Sequence, residues 1–134
     1  MDIAYAFLAD SAYIRPDMKV DVTGLGVQSF TVTNAPVVLP PVVLVCGIQM
    51  QAAEYGIQHE IRVDLVDNDG TTVIPSFLES VTYPGTEDER YRDAVFPSVI
   101  QWPGVLCQQL GDYAFHIFID NVQLSRIPVY LKVQ

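Results

Sequence analysis

The segment 109–133 constrains the fold more than any other part of the chain. It opens with a Gly111-Asp112 turn and continues as the Tyr-led apolar run 113–119. It turns again at Asp120-Asn121 and closes with the run 122–133. Gly supplies turn backbone because it reaches positive φ without a steric cost, and Asp and Asn side chains hydrogen-bond their own turn. Two β-branched and aromatic runs joined by a short Asx turn read as a β-hairpin. The segment predicts the two closing strands of an antiparallel sandwich.

The rest of the chain has the same grain. Residues 2–14, rich in Ala, Tyr, Phe and Ile, predict a first strand. A turn at residues 15–18 and the strict alternation of Lys19-Val-Asp-Val22 predict a second strand answering the first as a hairpin. Gly24 and Gly26 mark a bend, and residues 28–33 a short strand carrying Phe30 and Val32. Val42–Met50 is unbroken apolar sequence after Pro40-Pro41. It predicts a central strand buried on both faces. Residues 52–56 read as a loop.

Residues 59–65 alternate most cleanly. Ile61, Val63 and Leu65 are expected in the core, with Glu60, Arg62 and Asp64 toward water. Asp67-Asn-Asp-Gly70 is a hairpin turn, residues 71–80 a returning strand, and residues 95–102 another strand. Residues 105–110 form a short connector. About eight strands with regular turn signals and no amphipathic helix predict one all-β domain over residues 1–134, a two-sheet antiparallel Ig-like β-sandwich.

Composition narrows the function classes. Half of the residues are apolar and 17% are charged, so a packed core is expected rather than disorder. With 16 acids against 7 bases the net charge is −9. That charge repels phosphate backbones and anionic lipid surfaces, so neither nucleic acid nor a membrane is an expected partner. The N-terminus lacks a basic leader region and no apolar run nears the ~20 residues of a membrane span. A soluble, cytoplasmic protein is expected.

The residues that carry chemistry are few. Cys46 and Cys107 form no CxxC and are expected as buried free thiols. His59 and His116 are taken as out of phase with the apolar positions, solvent-facing or lodged against the sheet, and no zinc spacing joins them. Asp67, Asn68 and Asp69 would ligate calcium only if other acids, such as Glu87, Asp88 and Glu89, converged on them. No nucleophile elbow or phosphate loop is present, so no catalytic residue, metal or cofactor is assigned and an enzyme is not expected. Arg90, Tyr91 and Arg92, in the polar stretch 84–93, are the candidate interaction residues, because Tyr and Arg anchor protein interfaces. In residues 115–118, Phe115 and Ile117 alternate with His116 and Phe118, which puts apolar side chains on both faces of one strand. Part of the second face is then expected to be covered by a loop or by another subunit, which favours a homo-oligomer.

The chain resembles a family of small bacterial proteins of unknown function with an Ig-like or similar β-sandwich fold. The matching features are Leu8-Ala-Asp10 with Tyr13, the strand and glycines of residues 20–26, and the strand of residues 40–49. They continue through Glu60-Ile-Arg-Val-Asp-Leu-Val-Asp-Asn-Asp-Gly70, the hairpin from Gly111-Asp-Tyr113 to Ile119-Asp-Asn121, and Ile127-Pro-Val129. The chain departs from the pattern at Leu110-Gly111, where Pro-Gly is commoner. The resemblance implies a fold and no activity. The expected function is a non-catalytic protein-interaction or scaffold module. The alternatives are a small-ligand or calcium-binding sandwich and, after that, a hydrolase.

Overall fold

The computed structural model describes residues 1–85 and 93–133. Those residues are all-β apart from one 3-10 turn, Ala52–Glu54. The strands are β1 (Asp2–Ala9), β2 (Ser11–Ile14), β3 (Val20–Thr23), β4 (Ser29–Val32), β5 (Val37–Val38) and β6 (Val42–Met50). After the 3-10 turn come β7 (Gln58–Val66), β8 (Phe77–Thr82), β9 (Ala94–Trp102), β10 (Leu106–Cys107), β11 (Gly111–Ile119) and β12 (Val122–Val133).

Among the described residues they form four sheets rather than two: β1-β6-β9, β4-β12-β11-β7-β8, and the small pairs β5-β10 and β2-β3. The two larger sheets share one core. Leu8, Leu44 and Ile48 of the three-stranded sheet meet Ile61, Val63, Ile117 and Leu131 of the five-stranded one. Trp102 reaches across to Phe115, with ring centroids 5.1 Å apart.

β6 is the central strand that its sequence predicts, buried throughout except at Gln49. Its even positions enter the shared core, so Val43, Val45 and Gly47 face the other way. The Tyr5 ring lies over Gly47, with Cε1 2.3 Å from where a Cβ would stand. Only glycine allows that approach. On the other flank Pro97 stands opposite Gly47 on the edge strand β9, where a missing N–H is tolerated.

Four further expectations are corrected. The first predicted strand breaks at Asp10: β1 joins β6, while β2 pairs with β3 as the expected hairpin. The Asp10 N–H turns toward Thr23 O (3.1 Å) and Gly24 O (3.3 Å), and its carboxylate fills the space a Gly24 side chain would need. β4 runs parallel to β12, in an otherwise antiparallel fold. A sheet edge accepts a strand of either direction, and β12 has a free edge at its last four residues. The returning strand after Gly70 starts at Phe77; before it there is a single bridge, Val66 to Thr72. Pro75 has no N–H to extend that ladder. The predicted connector 105–110 contains β10, which pairs with β5.

Candidate interaction face

The face of the five-stranded sheet turned away from the core is built by alternation. Along β11, Phe115 and Ile117 are buried while His116 and Phe118 are half-buried on the opposite face. Register then sets their neighbours. Phe118 lies beside Arg62 of β7, and Arg62 beside Leu78 of β8. His116 lies between Asp64 of β7 and Arg126 of β12. The result is two rows across the sheet, Leu78-Arg62-Phe118 and Asp64-His116-Arg126. Further along β12, Tyr130 is 47% exposed, and Leu78 at the other side of the sheet is 59% exposed.

Arg62 is the centre of this face. Its Cζ stands 4.0 Å from the centroid of the Phe118 ring. A guanidinium over an aromatic face at that distance is held by about 0.5–1 kcal/mol when exposed. Its Nη1 donates to Asn121 Oδ1 at 3.2 Å, and its Nε lies 3.4 Å from Asp64 Oδ2, an ion pair without hydrogen-bond geometry. Glu60 faces water as expected, but Arg62 and Asp64 are half-buried. The cross-strand neighbours Phe118 and His116 account for this, because they shelter the two side chains. The His116 ring in turn tilts at 57° against Phe118, with centroids 6.4 Å apart.

His59 departs from its expectation. It shares a face with Ile61, Val63 and Leu65, because all four are odd positions of one strand, and it is only 7% exposed. Its Nδ1 is 2.7 Å from Asp120 Oδ2, while Asp120 Oδ1 accepts the Glu60 N–H at 2.9 Å. The hydrogen bond with His59, and then that from Glu60, hold the Asp120 carboxyl below the usual carboxylate range. Asp120 and Asn121 both sit at positive φ, 51° and 66°, in the β11–β12 turn. The pair therefore clasps the start of β7 to that turn. Among the described residues the His59 Nε2 has no hydrogen-bond partner.

The other candidates resolve as follows. Arg90, Tyr91 and Arg92 lie outside the described residues, as do Glu87, Asp88 and Glu89. Asp67 spends its carboxylate on its own turn, where Oδ1 accepts from Asp69 N (2.9 Å) and Thr71 N (3.0 Å). Among the described residues no three His, Cys, Asp or Glu side chains come together as a metal site. Cys46 and Cys107 are free and buried. Burial pushes the Cys46 thiol up to about 11, against a hydrogen bond with Ser98 that pulls it down. Burial also raises Cys107. Among the described residues no helix is long and apolar enough to cross a membrane.

The out-of-phase Phe118 and His116 were the sequence signal for this face. Nothing in the sequence pointed to Arg62 as their partner, because strand register is not written in local alternation. The model of a family of unknown function, DUF6941, matches residues 4–132, and the chain belongs to that family. No curated protein matches the chain.

Proposed function

We propose that this member of the DUF6941 family is a non-catalytic protein-interaction module. In this reading it is an Ig-like sandwich of two principal sheets that engages a partner with the outward face of the five-stranded sheet. The observation that carries the reading is the Arg62–Phe118 stack, 4.0 Å from guanidinium carbon to ring centroid, flanked by His116, Arg126, Leu78 and Tyr130. Arg and Tyr are the residues that dominate interface energetics, and a stacked Arg is already ordered before binding. The absence of a catalytic reading rests on the chemistry of the groups present. The Cys46 thiol, pushed up to about 11, is a poor nucleophile near neutrality. The chain's net charge of −9 favours, at long range, a partner that is neutral or basic overall.

The test is capture of partners from the host lysate by tagged wild-type protein, Arg62→Ala, Leu78→Glu, and a Tyr91→Ala/Arg92→Ala double variant, each shown to be folded by circular dichroism. A stoichiometric partner held by wild type and lost by Arg62→Ala and Leu78→Glu is the expected outcome. Loss with Tyr91→Ala/Arg92→Ala alone would move the contact to that loop, and unchanged capture by all variants would refute the assigned face.

A further inference from the structure

We propose that the outward face of the β1-β6-β9 sheet is a homodimer interface on which a second copy of this chain seats. The inference does not depend on the function proposed above, which concerns the opposite side of the molecule.

It begins with β6. A strand apolar on both faces must bury both, and only its even positions reach the shared core. On the outward side Val43 and Val45 are already buried, and the β2–β3 hairpin lies against β6 and β9 there. Among the described residues, nothing beyond the hairpin covers Tyr5, Phe7, Val95, Pro97 and Val99 completely. Tyr5 and Phe7 stack with centroids 5.7 Å apart and present a flat aromatic surface beside Gly47. On β9 Pro97 stands at that level, and Val95, opposite Gln49, is 49% exposed.

Charge identifies the occupant. The outward positions of β6 and β9 carry no ionisable side chain, and β1 adds only Asp2 at its start. The chain as a whole carries −9. Two acidic copies repel each other least where they meet through surface with few charges. A basic partner would instead be drawn to the acidic surface and away from this sparsely charged patch. A self-complementary patch with Asp2 as its one acid is what a like-charged second copy can share across a two-fold axis.

Area requires the bordering hairpin to take part, because the sheet face alone supplies about half of what a standard interface takes. Three strands about 4.8 Å apart and nine residues long, at about 3.3 Å per residue, present a face of roughly 400 Å². A standard interface takes about 800 Å² from each partner. The bordering hairpin supplies the remaining surface, with Tyr13, Ile14 and Met18 exposed among the charged side chains of Asp17, Lys19 and Asp21.

The test is sedimentation equilibrium of the purified full chain as wild type, Val95→Glu, Val95→Arg and Leu78→Glu, with folding checked by circular dichroism. Wild type is expected to be a dimer that tightens as salt rises, because screening removes repulsion between two acidic copies. Both Val95 variants are expected to weaken the dimer at least tenfold, and Leu78→Glu to leave it unchanged. Should either Val95 variant fail to fold, Gln49→Lys replaces it, since Gln49 is exposed and lies directly across from Val95. A monomeric wild type at every concentration overturns the proposal. So does a dimer that both Val95 variants leave intact, one disrupted by Glu but not by Arg, or one that salt loosens.

Discussion

Asp120 serves two neighbours at once, taking the His59 ring on one oxygen and the Glu60 N–H on the other. Its carboxyl is held below its ordinary value, so it gives up its proton more readily in the folded protein than in the unfolded one. Its contribution is therefore complete above the ordinary carboxylate range and is lost as the pH falls through the depressed value. Asp120→Asn is expected to lose about 1–3 kcal/mol at neutral pH, because the buried imidazole loses a charge-assisted partner. The gap between variant and wild type should narrow toward acid, which urea denaturation across a pH series would show. A difference independent of pH would contradict this account. Cys46 makes a second residue-scale case. With its thiol pushed up to about 11 and its side chain buried, it should react with a disulfide reagent only after denaturant is added. Rapid labelling of the native protein would be the contrary result.

Among the elements, β11 shows how far alternation can carry an inference. The apolar run after Gly111 marks the strand, and Tyr113 at its start donates its hydroxyl to Gln109 O at 2.6 Å, anchoring the connection that enters it. Tyr113→Phe keeps the ring in the core and removes that bond. It is expected to cost about 1 kcal/mol, read from the denaturation midpoint. β6, β7, β9, β11 and β12 were all readable because each runs long enough for its pattern to exceed chance. β5 and β10 were not, since a two-residue pair has no period. The break at Asp10 was hidden because no Gly or Pro punctuates residues 2–14, and what diverts the chain is a contact with Thr23 and Gly24. The parallel pairing of β4 with β12 depends on where a distant edge lies, which local sequence does not record. His59 was readable and misassigned: its odd-numbered position alongside Ile61 and Val63 already placed it in the core. Of the interaction face, Phe118 and His116 were visible as apolar excess on the wrong side of a strand, while the stacking of Arg62 needed the register of β7 on β11.

At the scale of the whole molecule, acidity and apolar content are divided by surface. The described acids are spread over turns, as at Asp17, Asp67 and Asp120, and over strands, as at Glu60, Asp64 and Glu79, while the outward face of the three-stranded sheet carries Asp2 alone. Gly47→Ala links packing to that face, since its new methyl group would displace the Tyr5 ring. Tyr5 is partly exposed and has room to swing outward, so stability should fall only modestly, by about 1 kcal/mol. The flat surface beside β6 would be lost, and self-association should weaken more than folding does. A variant that dimerises as wild type does would separate Tyr5 from the interface.

Pro97 has a further consequence. The free borders of the two larger sheets are β1, β9, β4 and β8. β1 is interrupted by a bulge between Ile3 and Tyr5, and β4 and β8 are short. β9, at nine residues, is long enough to recruit a foreign strand, and Pro97, its fourth residue, lacks the amide hydrogen that recruitment would use. A crowded solution of this apolar-rich chain is thereby steered away from fibre growth, leaving broad flat contacts as its means of assembly. Pro97→Thr would restore the missing donor. On incubation it should form thioflavin-positive fibrils sooner than wild type, and an unchanged lag time would show that the border is guarded elsewhere.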